Sequence, residues 1–313
     1  MTENPIELSV IVTMLGGPDF LDGYLARLVP QTEGRSVELL VPYDSTAGDL
    51  QPVMKKYPQP QVKYINMGVV ATKAPPGTRT ASHEIYDVRS AWGMRAARGR
   101  IIAVTQDCCI PGPDWVAQTL EAHRTLPHAA IGGAVEHNNK GALNWAIYFL
   151  DYARFMLPVS EGPADYLTDA NVSYKREALE AIRPIWEDRY KEVTINWELL
   201  RRGEVMWMKP EMVVYQDRGP LTFTDLLEER YYWGLLFAGI RVSEVSLWRR
   251  LFYILLGLGV PLVLLARPAQ KVFTAGRNRL QFLKYLPQTL AMVALWSLGE
   301  YVGYLTGKEA SLQ

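Results

Sequence analysis

The sequence predicts an α/β fold, a mostly parallel sheet flanked by helices, with a helical C-terminal region after it. Three observations carry that prediction. Short apolar, β-rich runs alternate with segments of helical period through the first two thirds of the chain. The central run, Ile101 to Val104, ends in a polar cluster from Thr105 to Cys109 and is stopped by Pro111, Gly112 and Pro113. From Thr222 the composition turns to long aliphatic and aromatic helices. With 313 residues, 49% of them hydrophobic, the chain can bury one large domain and an appendage, placed at 1–220 and 221–313.

The elements follow in order. Ile6 to Thr13 reads as a first strand, and Asp19 to Leu28, with leucines at helical spacing, as a first helix ending near Pro30. Val37 to Val41 is a second strand that runs into Tyr43, Asp44, Ser45 and Thr46. Strand, helix, strand in that order implies a right-handed parallel crossover. Gln51 to Tyr57 is a helix stopped by Pro58, and Val62 to Asn66 a third strand. Gly68 to Ala81 has Pro, Gly and Thr without a period and reads as a mobile loop. Ala81 to Arg98 is a helix bearing His83, Tyr86 and Arg89, with small residues from Gly93 to Gly99 where it lies close to the sheet. A helix from Trp115 to about Arg124 leads to a strand at Ala129 to Val135. Trp145, Tyr148, Phe149, Tyr152 and Phe155 share a helical period that core packing explains, stacking on an acceptor being the alternative. Met208 to Tyr215 supplies the last strand.

Lysine plus arginine and aspartate plus glutamate both number 33, so no field gathers nucleic acid, and that partner is excluded. The two cysteines, Cys108 and Cys109, are adjacent, which argues against a disulfide framework and fits a reducing compartment. The start, MTENPIELSV, has no basic region followed by an apolar one, which predicts a cytoplasmic catalytic face.

Open α/β sheets bind ligands beyond the carboxyl ends of their strands. Asp44 and Asp107 occupy such ends, with a helix N-cap as the competing use of each. Arg89 has the fork that matches a diphosphate, or lies on a solvated helix face.

The succession of helix, Ala97-x-Gly99, apolar strand, acidic turn, Pro111 and Trp115 resembles the centre of glycosyltransferase family two. The resemblance spans about Leu8 to Trp233 and implies a GT-A, Rossmann-like domain that binds a nucleotide-diphosphate sugar through Asp44, Arg89, Gln106 and Asp107. The family writes its turn Asp-x-Asp to hold magnesium or manganese; those aspartates fall on Gln106 and Cys108, so Asp107 and Cys108 remain as metal ligands. Gln216 stands where many relatives offer His. The segment Tyr190 to Gly203 places the family's general base at Glu192, with Glu198 as competitor. Asn171 and Trp197 fall on the acceptor side. An inverting transfer of a single sugar to a lipid-linked or polysaccharide acceptor is implied, and the substituted turn motivates the alternative of a catalytically silent scaffold in a membrane glycan-assembly complex. A nucleotidyltransferase is disfavoured, because Met14 to Pro18 offers no Arg or Lys.

In the C-terminal part, Leu226 to Ile240 mixes charges and aromatics as an interfacial helix does. Arg230 and Trp233 only partly resemble the Gln-x-x-Arg-Trp motif of processive synthases, which points to single addition. Leu251 to Ala266 covers roughly 24 Å as a helix, short of a hydrocarbon core of about 30 Å, and Pro261 would kink it. Leu286 to Leu305 contains Pro287, Gln288 and Glu300. The expectation is a hairpin of short or re-entrant helices on the cytoplasmic face of the inner membrane, with buried soluble helices or a homo-oligomer interface as the alternatives and full spanning less favoured.

Overall fold

The computed structural model describes residues 5–138, 141–242 and 245–306. Met1 to Asn4, part of the start read for a signal, lie outside the described residues. The chain divides into two compact units: Met1–Ala71 with Ser82–Asn138 and Phe155–Asp217, and Thr72–Ala81 with Asn139–Arg154 and Arg218–Gln313.

The strands are β1 (Leu8–Thr13), β2 (Val37–Tyr43), β3 (Val62–Asn66), β4 (Ile101–Gln106), β5 (Cys109–Pro111), β6 (Ala130–His137), β7 (Gly162–Ala164), β8 (Asn171–Lys175) and β9 (Met206–Gln216). All lie in the first unit, in one sheet ordered β3-β2-β1-β4-β8-β6-β9-β5, with β7 also on β9. Its helices are α1 (Pro18–Leu28), α2 (Gln51–Lys56), most of α3 (Arg79–Ala96) and α4 (Trp115–Thr125). The apolar runs of β1 and β4 are buried throughout, as strands covered on both faces must be. At Gly93 of α3 an added Cβ would stand 2.5 Å from Ile11 Cγ2, so the small residue lets the helix seat against β1.

The sheet is mixed, which corrects the mostly parallel expectation. β3-β2, β2-β1, β1-β4 and β6-β9 are parallel, whereas β8 runs against both β4 and β6, and β5 and β7 run against β9. The physical cause is the polar, proline-rich exit from β4: the chain turns at once into β5 and fills the central gap only later, with the reversed β8.

The second unit holds α5 (Ala142–Ile147), which passes into a π-helical stretch, Tyr148–Tyr152. After α6 (Arg176–Ala181), α7 (Arg183–Trp186) and α8 (Glu192–Arg201) of the first unit, it resumes with α9 (Phe223–Val242), α10 (Leu247–Leu256), α11 (Val260–Ala275), α12 (Arg279–Lys284) and α13 (Leu286–Thr306). α9 and α13 touch backbone to backbone: a Cβ on Gly234 would lie 2.0 Å from the Trp296 carbonyl, and one on Gly299 1.9 Å from that of Tyr231. Arg230 is fully buried, donates to both Asp151 oxygens at 2.6 and 2.7 Å and lies over the Trp233 ring. Its task is to join α9 to the π-helical stretch. Leu251 to Ala266 is broken at Gly257–Gly259, and the flanking helices are bent by 72°. Pro261, expected to kink that run, instead sits in the first turn of α11, where a missing N–H costs nothing. Among the described residues no single helix is long and apolar enough to cross a membrane.

Candidate active site

The carboxyl ends of β1, β2 and β4 bring three of the expected residues together. Just beyond β2, Asp44 accepts from the Thr46 amide at 2.7 Å and hydroxyl at 2.6 Å. Arg89 reaches it from α3, donating through Nε to Asp44 Oδ2 at 2.8 Å, through Nη1 to the Met14 carbonyl at 2.8 Å and through Nη2 to Thr46 Oγ1 at 3.1 Å. Burial acts to raise the Asp44 carboxyl, but the Thr46 hydrogen bonds and the Arg89 charge outweigh it and hold it below the usual range. The pair is a closed, neutral unit that orders the β1 and β2 exits.

Asp107, fully buried, turns back under the β1–α1 loop. Oδ1 accepts from the Leu15 amide at 2.8 Å, and the Gly16 amide donates to both oxygens at 3.2 and 3.1 Å. Burial pushes this carboxyl up to about 7, against the pull of those amides and of Arg89. It holds a loop in place.

A second chain of polar groups starts at the same strand end. Gln106 donates from Nε2 to Tyr86 Oη at 3.2 Å, and Tyr86 donates to Asp169 Oδ2 at 2.7 Å. Asp169 donates its amide to Glu192 Oε2 at 2.5 Å, Tyr166 donates its hydroxyl to Glu192 Oε1, and the two carboxyl groups are themselves within hydrogen-bonding reach. Burial, then the Asp169 charge and the shared bond, raise the Glu192 carboxyl well above its ordinary range, against the Tyr166 and Asp169 N–H contacts. Asp87, one helix residue from Tyr86, is pushed up to about 8 by burial, with Lys191 and Arg189 opposing and Asp169 and Glu84 adding to it. With Glu192 and Asp87 both raised, the repulsion that a diphosphate would meet is lowered.

Asp169, Tyr86 and Tyr166 were not read from the sequence as site residues. One signal was available, an acid two residues before the marked Asn171. Asn171 itself is not free for an acceptor. Its Nδ2 donates to the Ala134 and Met212 carbonyls at 2.9 and 2.7 Å, and its Oδ1 accepts from Trp115 Nε1 at 2.8 Å, so it pins β8 to β6, β9 and α4. Trp197 is half-buried on α8, five residues after Glu192 and so roughly 140° around the helix, on a different face. Glu198 is held by Arg201 and Arg202 and is no longer a competitor as base.

The donors do not fit a hard divalent cation. Both Asp107 oxygens face backbone amides. The Cys108 and Cys109 thiols point at Gln106 Oε1 at 3.5 and 3.8 Å, and the Cys108 contact with burial keeps the Cys109 thiol protonated. Gln216, beside Cys109 in the sheet, is buried with both amide atoms unpartnered. Among the described residues no group of three or more His, Cys, Asp and Glu side chains is placed to hold a metal ion.

No protein-family model matches the chain, and no curated protein matches it. A solved structure does: the mannosyltransferase PcManGT from Pyrobaculum calidifontis, in complex with GDP-Man and Mn2+, at 16% identity and a TM-score of 0.55, over 97% of this chain and 88% of that one. The chain therefore has the fold of a glycosyltransferase.

Proposed function

We propose that the chain is an inverting glycosyltransferase of family two that moves one sugar from a nucleotide-diphosphate sugar to a lipid-linked or polysaccharide acceptor. The observation that supports it best is the continuous line of hydrogen bonds from Gln106, at the carboxyl end of β4, through Tyr86 and Asp169 to Glu192. It links the base of this reading, Glu192, to the strand end where open α/β sheets bind ligands. In its ionised form Glu192 takes the acceptor hydroxyl proton, the acceptor oxygen attacks the anomeric carbon, and the bond to the diphosphate oxygen breaks with its electron pair leaving on the nucleotide diphosphate. The Asp169 amide and the Tyr166 hydroxyl orient the carboxylate. Asp44 and Arg89 form the floor under the nucleotide. No step is assigned to a metal, and the reaction is placed at the cytoplasmic face of the inner membrane.

The experiment is a donor screen beginning with GDP-mannose, which the structural neighbour binds. Calorimetry with and without manganese reports binding, and nucleoside diphosphate release reports transfer. Binding is expected for one donor, with affinities that differ by less than about twofold between the two conditions, since the donors present favour no hard cation. Absence of binding to every donor supports the silent scaffold, the reading favoured by an Asp107 engaged on the amides of the β1–α1 loop. Release of pyrophosphate would reassign the chemistry.

A further inference from the structure

Between Leu247 and Gly299 stand seven basic residues, Arg249, Arg250, Arg267, Lys271, Arg277, Arg279 and Lys284, and no Asp or Glu, in a chain whose formal charge is zero. The same segment carries the most exposed large apolar side chains of the molecule outside Val69. On α10, Leu247, Trp248, Leu251, Phe252 and Leu255 form one stripe, Trp248 being 81% and Leu255 77% exposed. The helix is held by its other side. Arg250 donates to the Tyr304 and Leu305 carbonyls at the end of α13, and Tyr253 packs on Tyr304. Leu262 and Val263 are exposed on α11, with exposed Arg267 four and five residues on, and Arg279 bonds the Phe273 carbonyl and lies over that ring.

We propose that the exposed face of α10, α11 and α12 is a docking surface for an anionic lipid bilayer, on which the protein lies without crossing it. The 72° bend at Gly257–Gly259 leaves two short helices, each below the length of a span, and an apolar stripe edged by arginines with a tryptophan at its border suits the headgroup boundary. A second copy of the chain would bring cations onto cations. A nucleic acid would leave Leu247, Leu255 and Leu262 in water. An anionic bilayer satisfies both the stripe and the charge.

The inference deepens the membrane part of the reading above and is measured without any sugar donor, so its failure leaves the transfer reading standing. Full-length protein is cosedimented with phosphatidylcholine vesicles with and without phosphatidylglycerol, at low and high salt. Binding is expected to favour the anionic vesicles and to weaken with salt, and each of Arg249→Gln, Arg267→Gln and Lys284→Gln to lower partitioning by roughly fivefold. Trp248→Ser with Leu255→Gln should abolish binding to both vesicles while leaving the circular dichroism spectrum unchanged, since both side chains are exposed. Equal binding to neutral and anionic vesicles, unaltered binding by these variants, or a concentration-dependent dimer that Trp248→Ser dissociates would each overturn the proposal.

Discussion

The two halves of the candidate site treat their acids in opposite ways. Around Asp44 and Asp107 every contact is carboxylate to fixed donor: a guanidinium, a hydroxyl, or the amides of Thr46, Leu15 and Gly16. Around Glu192 a carboxyl group faces a carboxyl group, and burial with the Asp169 charge raises Glu192 well above its ordinary range. An acid matched to rigid donors has little left to exchange, whereas an acid raised by a like neighbour can accept and return a proton. The first half sets the geometry of the strand ends; the second carries the proton.

The largest expected effect follows from replacing Glu192. Glu192→Gln keeps the shape and the hydrogen-bond acceptor for Tyr166 but cannot take a proton. Steady-state transfer should fall by about 10²–10⁴-fold, the range of a lost general base, while calorimetric donor affinity stays within about twofold. Unchanged turnover would erase the contrast between the halves. Glu198 would not inherit the role, because Arg202 first, then the Arg201 charge, hold its carboxyl below the ordinary range.

Asp169→Asn sharpens the contrast with a smaller effect. The backbone N–H to Glu192 survives, so orientation is kept, but the neighbouring negative charge is gone. Glu192 then ionises more easily. The acid limb of the kcat/KM profile should move to lower pH, with a loss of about tenfold or less at the alkaline plateau. The ionisable side chains that act on Glu192 or on its neighbour Asp169 are Tyr86, Tyr166, Tyr174, Tyr190 and Asp87, with Lys191 next to Glu192 in sequence. The tyrosines Tyr86, Tyr174 and Tyr190 are raised by burial and stay neutral through this range. A residue of purely structural importance would lower the plateau and leave the limb in place.

Much of the fold was legible because its signal is local. Runs such as Ile101 to Val104 bury both faces and need no partner to be recognised, and Gly93 announces a close approach wherever it packs. Strand direction is not local. Nothing in Asn171 to Lys175 says that it runs against β4 and β6, and nothing in Cys109 to Pro111 says that three residues suffice for an edge strand on β9. The site divides the same way. Polar residues at strand ends, such as Asp44 and Gln106, stand out in the sequence, but the partners that decide their roles lie far along the chain. Tyr86 meets Asp169 from 83 residues away, and Asp107 meets Leu15 from 92. An acid that binds a ligand and an acid that caps a loop are written alike, which is why Asp107 reads as a metal ligand and Asn171 as an acceptor contact until their hydrogen bonds are seen.

Asp107→Asn is the finest test, since it separates those two meanings at one atom's cost. As a phosphate or metal contact Asp107 would be needed for transfer; as a loop anchor it needs only an oxygen for the Leu15 and Gly16 amides, which Asn supplies. Transfer should therefore change by no more than about threefold, the smallest activity effect of the three. Stability carries the larger signature. The folded carboxyl titrates at about 7 against 3.8 for the free group, so its contribution is fully present below the unfolded value and is lost as pH rises through about 7. The uncharged variant has no such loss. The difference between variant and wild-type unfolding free energies, from urea titrations at pH 5, 6, 7 and 8, should climb in favour of the variant from pH 5 to about 7, by at most about 3 kcal/mol, and level off above it. Asp87 and Glu192 add slope of the same sign to both proteins and cancel in the difference, so a flat difference would mean that Asp107 is ionised in the folded chain and open to a cation after all.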